Sequence, residues 1–420
     1  MNLKFFRFFL FFILATFSLF SQNNSVISGT ISNKENKEML PFASISLKNY
    51  PIGVISNEDG EFDFYIPESK RNDTLLVSFI GFNSYEIPLK IIKNPITIEL
   101  QPANNVLDEV VLSQLTPLDF IKRALENLTE NYPQDPYQSI AYYRQKFIEN
   151  NQIINQEEAV FKTYYPSPND TTKNQHQLLL FKPAENPQQF QFMREWIEKK
   201  SAKAKKKADK KGEEYDEDEY DGDIKMDFGG PQSVIHLDIN HDKGNYLNEK
   251  EFKKYEYTFG DETSLNGEPL VTILFEAKRS IDHIKDSGKI LISRESYAIV
   301  SIESTGKFSI PFLVKPILFT LGLGISNPRF STTINYQKFK DKWYPNLFRW
   351  DAKVNLTKKH MFDTNEKSAI NIGQVFLINK IDPVGVPIPE EKRFDDSEDI
   401  KNQIHNDINI RWDELNIIKN

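Results

Sequence analysis

The chain has 420 residues and a formal net charge of -8, with 39% hydrophobic and 27% charged residues. This length and composition can bury a core in two or more domains and argue against a wholly disordered chain. The acidic balance disfavours a dedicated nucleic-acid-binding protein, because such proteins present a broad basic surface. The chain contains no cysteine, which excludes disulfides, thiolate metal sites, cysteine nucleophiles and a lipid-modified N-terminal cysteine.

The N-terminus is typical of a secretory signal peptide. Two basic residues precede a Phe-rich apolar run from Phe8 to Phe20, and the chain then turns polar. The run is shorter than the roughly 20 apolar residues that span a bilayer. We therefore expect residues 1–21 to be removed by cleavage between Ser21 and Gln22, leaving no spanning segment. An exported chain without cysteine fits the periplasm or the outer-membrane surface of a Gram-negative bacterium.

Residues 24–101 alternate apolar and polar side chains, which predicts half-buried β-strands. The apolar positions include Ala43, Ile45 and Leu47, then Phe62, Phe64 and Ile66, then Leu75, Val77 and Phe79, then Ile87, Leu89 and Ile91. The Asp59-Gly60 pair is a hairpin turn signal, because glycine tolerates a positive φ, and we interpret both residues as structural. Several short strands separated by turns predict a small Ig-like β-sandwich.

Four ordered blocks in this segment resemble the carboxypeptidase-regulatory-like domain, a prealbumin-like sandwich. They lie at 27–31 (ISGTI), 40–45 (LPFASI), 53–62 (ending NEDGEF) and 75–82 (LLVSFIGF). In that family the domain is a non-catalytic module, often found ahead of the plug in TonB-dependent outer-membrane receptors, so the resemblance implies no peptidase activity. Residues 107–112 (LDEVVL) resemble the segment that joins the module to a receptor plug, but the sequence that follows departs from a plug.

A linker at 102–115 leads to a predicted helix at 116–132. Thr116 is a candidate N-cap, with Pro117 at the first helical position. An apolar stripe follows, formed by Leu118, Ile121, Leu125 and Leu128. Because the opposite face is polar and mixed in charge, we assign the helix a packing role.

Residues 137–380 predict a larger antiparallel β domain of curved or half-barrel form. Strand-like runs occur at 137–165, 255–259, 271–275, 290–292, 300–302, 330–340, 347–357 and 369–379, with turns at 149–151, at Asn266-Gly267 and at Ser287-Gly288. Residues 195–228 form a basic block followed by an acidic block, which predicts a solvated low-complexity insertion. Residues 381–420 form a C-terminal tail.

Two further sets of residues resemble known families. Residues 141–144 (AYYR), after the predicted helix, resemble a group of poorly characterised secreted or outer-membrane proteins that carry the same module. The blocks at 255–257, 267, 288–290 and 297–299 are similar to the helix-filled half-barrels of periplasmic lipoprotein carriers such as LolA. The second resemblance implies a half-barrel that could enclose an apolar ligand.

The sequence contains no familiar catalytic motif. Its six histidines are scattered at positions 176, 236, 241, 283, 360 and 405. None forms an HExxH sequence, a close pair at helical spacing or a Gly-x-Ser-x-Gly elbow. We therefore predict no catalytic residue, no cofactor and a protein that is not an enzyme, with an unrecognised hydrolase as the residual alternative.

One near-match to a metal site lies at Asp238, Asn240, Asp242 and Glu249, which occupy positions one, three, five and twelve of a calcium loop. The EF-hand turn requires glycine at position six, whereas Gly244 falls at position seven. We favour a strand end followed by a polar turn over a calcium site.

The apolar run at 310–325 contains two prolines, a lysine and two glycines, and it is too short and broken to span a bilayer. We favour a buried segment that closes the second sheet. The alternatives are a mobile lid over an apolar pocket and a hairpin that touches the membrane.

These patterns predict a mainly β protein with an N-terminal sandwich, a connecting helix and a larger antiparallel domain. The expected function is that of a non-enzymatic binding or accessory protein in the periplasm or at the outer membrane. Its expected partner is an envelope protein or an outer-membrane complex, and not nucleic acid. The alternative is a carrier of lipid or another hydrophobic ligand in a half-barrel pocket.

Overall fold

The computed structural model describes residues 25–103, 115–167, 170–191, 193–194, 230–310, 315–320, 322–359, 364–395, 400–404 and 411–419, with single positions at 202–210 and 398. The predicted signal peptide with its Ser21-Gln22 cleavage site, most of the linker and nearly all of the charged insertion lie outside these residues. The described chain is mainly β, with a sandwich, a short helical connection and a large antiparallel sheet. The predicted fold class is confirmed.

The N-terminal sandwich consists of two small sheets. The first has the order β4-β1-β7 and the second the order β3-β2-β5-β6. Their strands are β1 (Ser25–Asn33), β2 (Ser44–Leu47), β3 (Gly53–Ile55), β4 (Glu61–Ile66), β5 (Thr74–Ser78), β6 (Tyr85–Pro88) and β7 (Ile96–Leu100). Along β2 and β4 every second side chain is buried, as the alternation predicted, because successive side chains of a strand point to opposite faces.

Two details of the sandwich differ from the prediction. Gly60 has a φ of 71° in a turn, but this turn joins the two sheets and is not a hairpin, because β3 pairs with β2 whereas β4 pairs with β1. The strand predicted through residue 91 ends at Pro88, and a 3-10 helix at Leu89–Ile91 follows. Proline lacks the N–H that would continue strand pairing.

The second domain is built on an open sheet of eleven strands. Its order is β10-β9-β8-β18-β17-β16-β15-β14-β13-β11, and β12 pairs with β13. The strands are β8 (Tyr137–Glu149), β9 (Gln152–Tyr165), β10 (Gln175–Lys182), β11 (Tyr255–Phe259), β12 (Thr263–Leu265), β13 (Glu268–Ala277), β14 (Ile284–Ser293), β15 (Ile299–Phe308), β16 (Leu323–Phe339), β17 (Lys342–Lys358) and β18 (Glu366–Asp382). The turn expected at 149–151 is present, with positive φ at Asn150 and Asn151.

The predicted Ser287-Gly288 turn is wrong. Both residues lie inside β14, and the turn before that strand is at Asp282 and His283, which have φ of 48° and 70°. Gly288 faces Ser304 in the register, and a Cβ at this position would lie 2.1 Å from the backbone oxygen of Glu303. The glycine therefore serves close approach of two strands and not a turn.

Helices cover one face of the large sheet. Helix α1 (Pro117–Glu126) has the predicted Thr116 cap within a capping box, and it buries Phe120, Ile121 and Ala124. The predicted single helix is instead two, because the chain leaves the helical conformation at Asn127 before helix α2 (Leu128–Asn131). Helix α3 (Gly230–Ile235) packs into the same core through Val234 and Ile235. We call this the helix-covered face.

The described part of the apolar run at 310–325 is not buried. It contains a short helix α4 (Lys315–Thr320), in which Phe319 is 81% exposed, before β16 begins at Leu323. The predicted buried segment is therefore wrong for these residues. Within the described residues, no helix has the length and apolar character needed to cross a bilayer.

The sandwich packs on the opposite face of the large sheet. Tyr142, Leu347 and Leu377 belong to the same apolar cluster as the sandwich core. The Ile381 N–H donates to the Pro51 carbonyl at 3.1 Å. The C-terminal tail closes on the sandwich as well, through buried Ile418 and through Asn416. The Asn416 side chain bonds both the N–H and the carbonyl of Tyr65.

Replacing Gly288 with alanine should lower the free energy of unfolding by about 1–3 kcal/mol, because its Cβ would overlap the neighbouring backbone. The matched control is Gly324→Ala in β16, where the nearest atom, the Thr357 carbonyl oxygen, lies at 3.7 Å. Urea unfolding of both variants measures the difference. Equal stability of the two variants would contradict the close-approach explanation.

Candidate functional site

A cleft of about 500 Å³ lies between the sandwich and the large sheet. On the sandwich side, Ile45, Leu47 and Val77 point into the sandwich core. Because side chains alternate along a strand, the intervening Ser46 and Leu76 face outward, and both line the cleft.

The opposite wall of the cleft is formed by β14 to β17. Ile302 and Ile334 belong to the core on the helix-covered face. The adjacent Glu303 and Thr333, which are opposite each other in the register of β15 and β16, therefore face the cleft. Both walls thus follow from the period-two pattern of strands that were predicted from the sequence.

Aromatic and aliphatic side chains from both domains line much of the cleft. They include Phe42, Phe79, Ile80, Phe339, Trp343 and Leu347. Phe42 has a φ of 60°, which is an unusual conformation for a bulky residue and carries a strain cost. The Arg349 guanidinium lies 4.8 Å from the centre of the Phe42 ring, so a contact between the two domains accompanies the strained residue.

Trp343 lines the cleft and is also part of the core on the helix-covered face. Its side chain is only 3% exposed, and its indole N–H has no hydrogen-bond acceptor among the described residues. Leaving a buried donor unsatisfied costs about 1–3 kcal/mol. The indole nitrogen is itself shielded from the cleft, so an oxygen acceptor of a ligand would remove this cost if the Trp343 side chain shifts on binding.

Charged groups at the rim of the cleft are paired with one another. Lys338 and Glu268 are 3.1 Å apart, and Lys289 and Glu303 are 3.0 Å apart. Since partly exposed ion pairs contribute at most about 1 kcal/mol, these pairs can open for a ligand at small cost. The rim therefore carries both positive and negative side chains, and its charge favours neither an anionic nor a cationic ligand.

A second, more charged cavity of about 550 Å³ adjoins the sandwich at β8 to β10. Arg144, Lys146 and Glu158 line it together with Asp59, one of the predicted turn residues. Partial burial, and then the neighbouring Arg144 charge, lower the pKa of Lys146. The predicted turn thus also contributes a carboxylate to this cavity.

His176 comes together in the second domain with His236 and His241, which are distant from it in the sequence. His176 Nε2 lies 2.7 Å from Gln232 Oε1, and Nδ1 lies 2.9 Å from Thr163 Oγ1. The rings of His236 and His241 are 4.7 Å apart. Since an amide oxygen only accepts, His176 donates from Nε2 and accepts at Nδ1, as a neutral ring. Burial lowers the pKa of His176 to about 4.

No pattern in the sequence grouped these histidines. His176 lies in β10, a strand that was not predicted, and the helix α3 region that brings Gln232 and His236 to it is distant in the chain. No group of three or more His, Cys, Asp or Glu side chains suited to a metal occurs in the part of the chain that the structure describes. The arrangement is a hydrogen-bonded one.

The calcium-loop residues divide into buried and exposed groups. The buried Asp238 Oδ1 accepts hydrogen bonds from Tyr336 Oη at 2.9 Å and from the Asn240 N–H at 3.1 Å. Burial raises the pKa of Asp238, whereas Asp242 and Glu249 are exposed. The predicted preceding strand end is wrong, because helix α3 and its final turn precede Asp238.

The stability of the protein should decrease below about pH 6.5 because of His176. Its pKa is lower in the folded state than the ordinary value of 6.5. The stability that the neutral ring contributes is therefore fully present above pH 6.5 and is lost as the pH falls toward 4. The total loss in the free energy of unfolding is at most about 3 kcal/mol. His176→Gln should unfold with a shallower acid dependence, as measured by urea titrations at several pH values. The exposed His283→Gln variant should retain the wild-type slope, and an unchanged slope in His176→Gln would contradict this assignment.

The comparisons with known proteins concern mainly the sandwich. Residues 27–112 match the family model of the CarboxypepD_reg-like domain. An 86-residue segment, 20% of the chain, is 34% identical to the TonB-dependent receptor P3 of Formosa agariphila. It covers 8% of that receptor, so the chain spans less than a tenth of this relative.

Two solved structures resemble larger parts of the chain at low similarity. A LolA superfamily protein from Nitrosomonas europaea is 8% identical, with 67% of this chain and 99% of that chain covered and a TM-score of 0.21. A putative membrane-associated protein of unknown function from Bacteroides fragilis is 10% identical, with 85% and 98% covered and a TM-score of 0.16. Neither TM-score supports an argument about the second domain. The sandwich that forms one wall of the cleft is a carboxypeptidase-regulatory-like domain, as its sequence blocks predicted.

Proposed function

We propose that the chain is a non-enzymatic accessory protein of the Gram-negative envelope, and that its cleft binds a short extended segment of a partner protein. The buried and unpaired Trp343 N–H is the observation that carries this proposal. A peptide carbonyl is an acceptor of the required kind, and each residue of a partner segment supplies one.

The rest of the cleft suits a peptide better than an alkyl chain. Hydroxyl and amide side chains lie between the apolar ones, at Ser44, Ser46 and Asn346. These groups can bond a peptide backbone, whereas a hydrocarbon would leave them and the Trp343 N–H without partners, at a cost. The aromatic side chains would then contact the apolar side chains of the partner segment.

The envelope location and the absence of catalysis have separate support. The relative of the sandwich is a TonB-dependent receptor by its name, which fits a Gram-negative envelope, and the N-terminus has the pattern of a signal peptide. The family of the sandwich is non-catalytic, and the sequence carries no familiar catalytic motif. We keep the proposed division into a signal peptide at 1–21, a sandwich at 24–101, a β domain at 137–380 and a tail at 381–420.

Substituting Trp343 with phenylalanine should weaken peptide binding about tenfold, or ~1.4 kcal/mol, because the ring remains but the N–H donor is lost. The probe is a peptide selected from a displayed random library against the wild-type protein. Fluorescence anisotropy of the labelled peptide measures its Kd for each variant.

The matched control is Trp350→Phe, on the same strand but outside the cleft lining, which should leave the Kd unchanged. Equal weakening by both substitutions, or failure to select any peptide, would argue against the proposal. If dodecyl maltoside displaces the peptide, and native mass spectrometry of protein purified from the envelope shows a bound lipid, the alternative of a hydrophobic-ligand carrier replaces it. The aromatic lining of the cleft favours that alternative as the second candidate.

Export is tested by the mass of the protein recovered from the envelope. Cleavage after Ser21 should leave a chain that begins at Gln22. Intact mass spectrometry distinguishes this chain from one that retains Met1. A retained leader on protein recovered from the envelope would contradict the proposed cleavage.

A further inference from the structure

Four cationic side chains lie opposite one another across four neighbouring strands of the large sheet. The register places Lys285 opposite Lys307, Lys307 opposite Arg329, and Arg329 opposite Lys353. Directly opposed residues of antiparallel strands project from the same face, about 5 Å apart. We call this line of charges the cationic row.

The cationic row is costly to the fold. Like charges directly opposite each other destabilise a sheet. Lys307, Arg329 and Lys353 are exposed, and none is ion-paired with an acidic side chain that the structure describes. Lys285 has one partner, Glu276, at 3.6 Å. Because folding gains nothing from such a row, binding of an external anion would offset the repulsion within it.

The acidic groups of the surrounding groove are already engaged. This open groove has a volume of about 590 Å³. Asp351 is bound by Arg349 at 2.6 Å, and Asp286 is buried and accepts a hydrogen bond from Tyr255 Oη at 2.7 Å. The groove therefore presents mainly positive charge to the solvent.

An apolar segment lies beyond the cationic row, toward the end of the sheet at which β16 begins. The connection from β15, which ends at Phe308, to β16, which begins at Leu323, includes helix α4 with the 81% exposed Phe319. The sequence from 307 to 329 has no aspartate or glutamate, although the whole chain has a charge of -8. The exposed Lys315 and Lys359 add two cations at this end, where the Lys359 N–H donates to the Gly322 carbonyl at 2.8 Å.

We propose that this end of the large sheet binds the surface of an anionic lipid bilayer. Phe319 enters the boundary between headgroups and acyl chains, while Lys315, Lys359 and the cationic row contact lipid phosphates. Lys353 and Lys359 are separated by about 20 Å along the strand direction. If the strands are tilted toward the plane of the membrane, both the cationic row and the lysines near helix α4 reach the headgroup layer. A soluble polyanion would account for the cationic row but not for the exposed phenylalanine. The proposal is independent of the cleft and its partner.

The test is co-sedimentation of the purified protein with two kinds of vesicle, one of phosphatidylcholine alone and one of equal parts phosphatidylcholine and phosphatidylglycerol. We expect binding to the anionic vesicles only, weakened strongly between roughly 0.1 M and 1 M salt. Arg329→Gln with Lys353→Gln should reduce the affinity about 25-fold, at about fivefold for each charge. Phe319→Ser should reduce it about tenfold.

A matched control is the double variant Lys90→Gln with Ile91→Ser. It removes one exposed cation and a 66% exposed apolar side chain from the sandwich, and it should bind like the wild type. Thermal melting separates binding from folding. Removing like charges from the row should not lower the Tm, so a lowered Tm in the Arg329→Gln, Lys353→Gln variant would indicate a structural role and overturn the proposal.

Two other outcomes would also overturn it. The first is equal binding to neutral and anionic vesicles. The second is a combination of two results: dextran sulfate binds through the cationic row, and Phe319→Ser does not change vesicle binding. This combination would make the row a site for a soluble polyanion.

Discussion

The large sheet has apolar side chains on both of its faces, and both faces need a cover. Helices α1 to α3 cover one face, through side chains such as Phe120 and Val234. The sandwich covers part of the other, where Tyr142, Leu347 and Leu377 join its core. Burial of apolar area is the dominant favourable term in folding, so these two covers determine how the parts of the chain are arranged.

The cleft follows from the incomplete match between the sandwich and the sheet that it covers. At the contact around Leu347 the two domains share one core, and toward β14 they separate and leave a space of about 500 Å³. Part of the lining of this space, including Ser46, Glu303 and Thr333, consists of residues that the strand pattern turns away from both cores. Strain at Phe42 and the unsatisfied Trp343 N–H occur in this region, and such local costs are commonly found at functional sites.

Local patterns in the sequence predicted most of the secondary-structure elements, but they did not predict the contacts between residues that are distant in the sequence. Alternating residues predicted most strands of both domains but not β10 and β12, and Thr116 and Pro117 predicted the start of α1. Asn266-Gly267 predicted a turn, in which both residues have a positive φ. Gly288 was misassigned because a glycine needed for close approach to Glu303 looks in sequence like one needed for a turn. The cleft and the histidine cluster depend on pairs such as His176 and Gln232, whose sequence separation no local pattern reports.

The C-terminal tail adds contacts to the sandwich from residues that are distant in the sequence. Ile418 is part of the core that also contains Ile31 and Ile45, and Asn416 satisfies the backbone of edge strand β4 at Tyr65. The core of the sandwich is therefore complete only when residues far beyond β7 in the sequence have packed onto it. Such distant contacts slow folding. The sandwich in the full chain should therefore reach its final packing more slowly than the pairing of its own strands alone would imply.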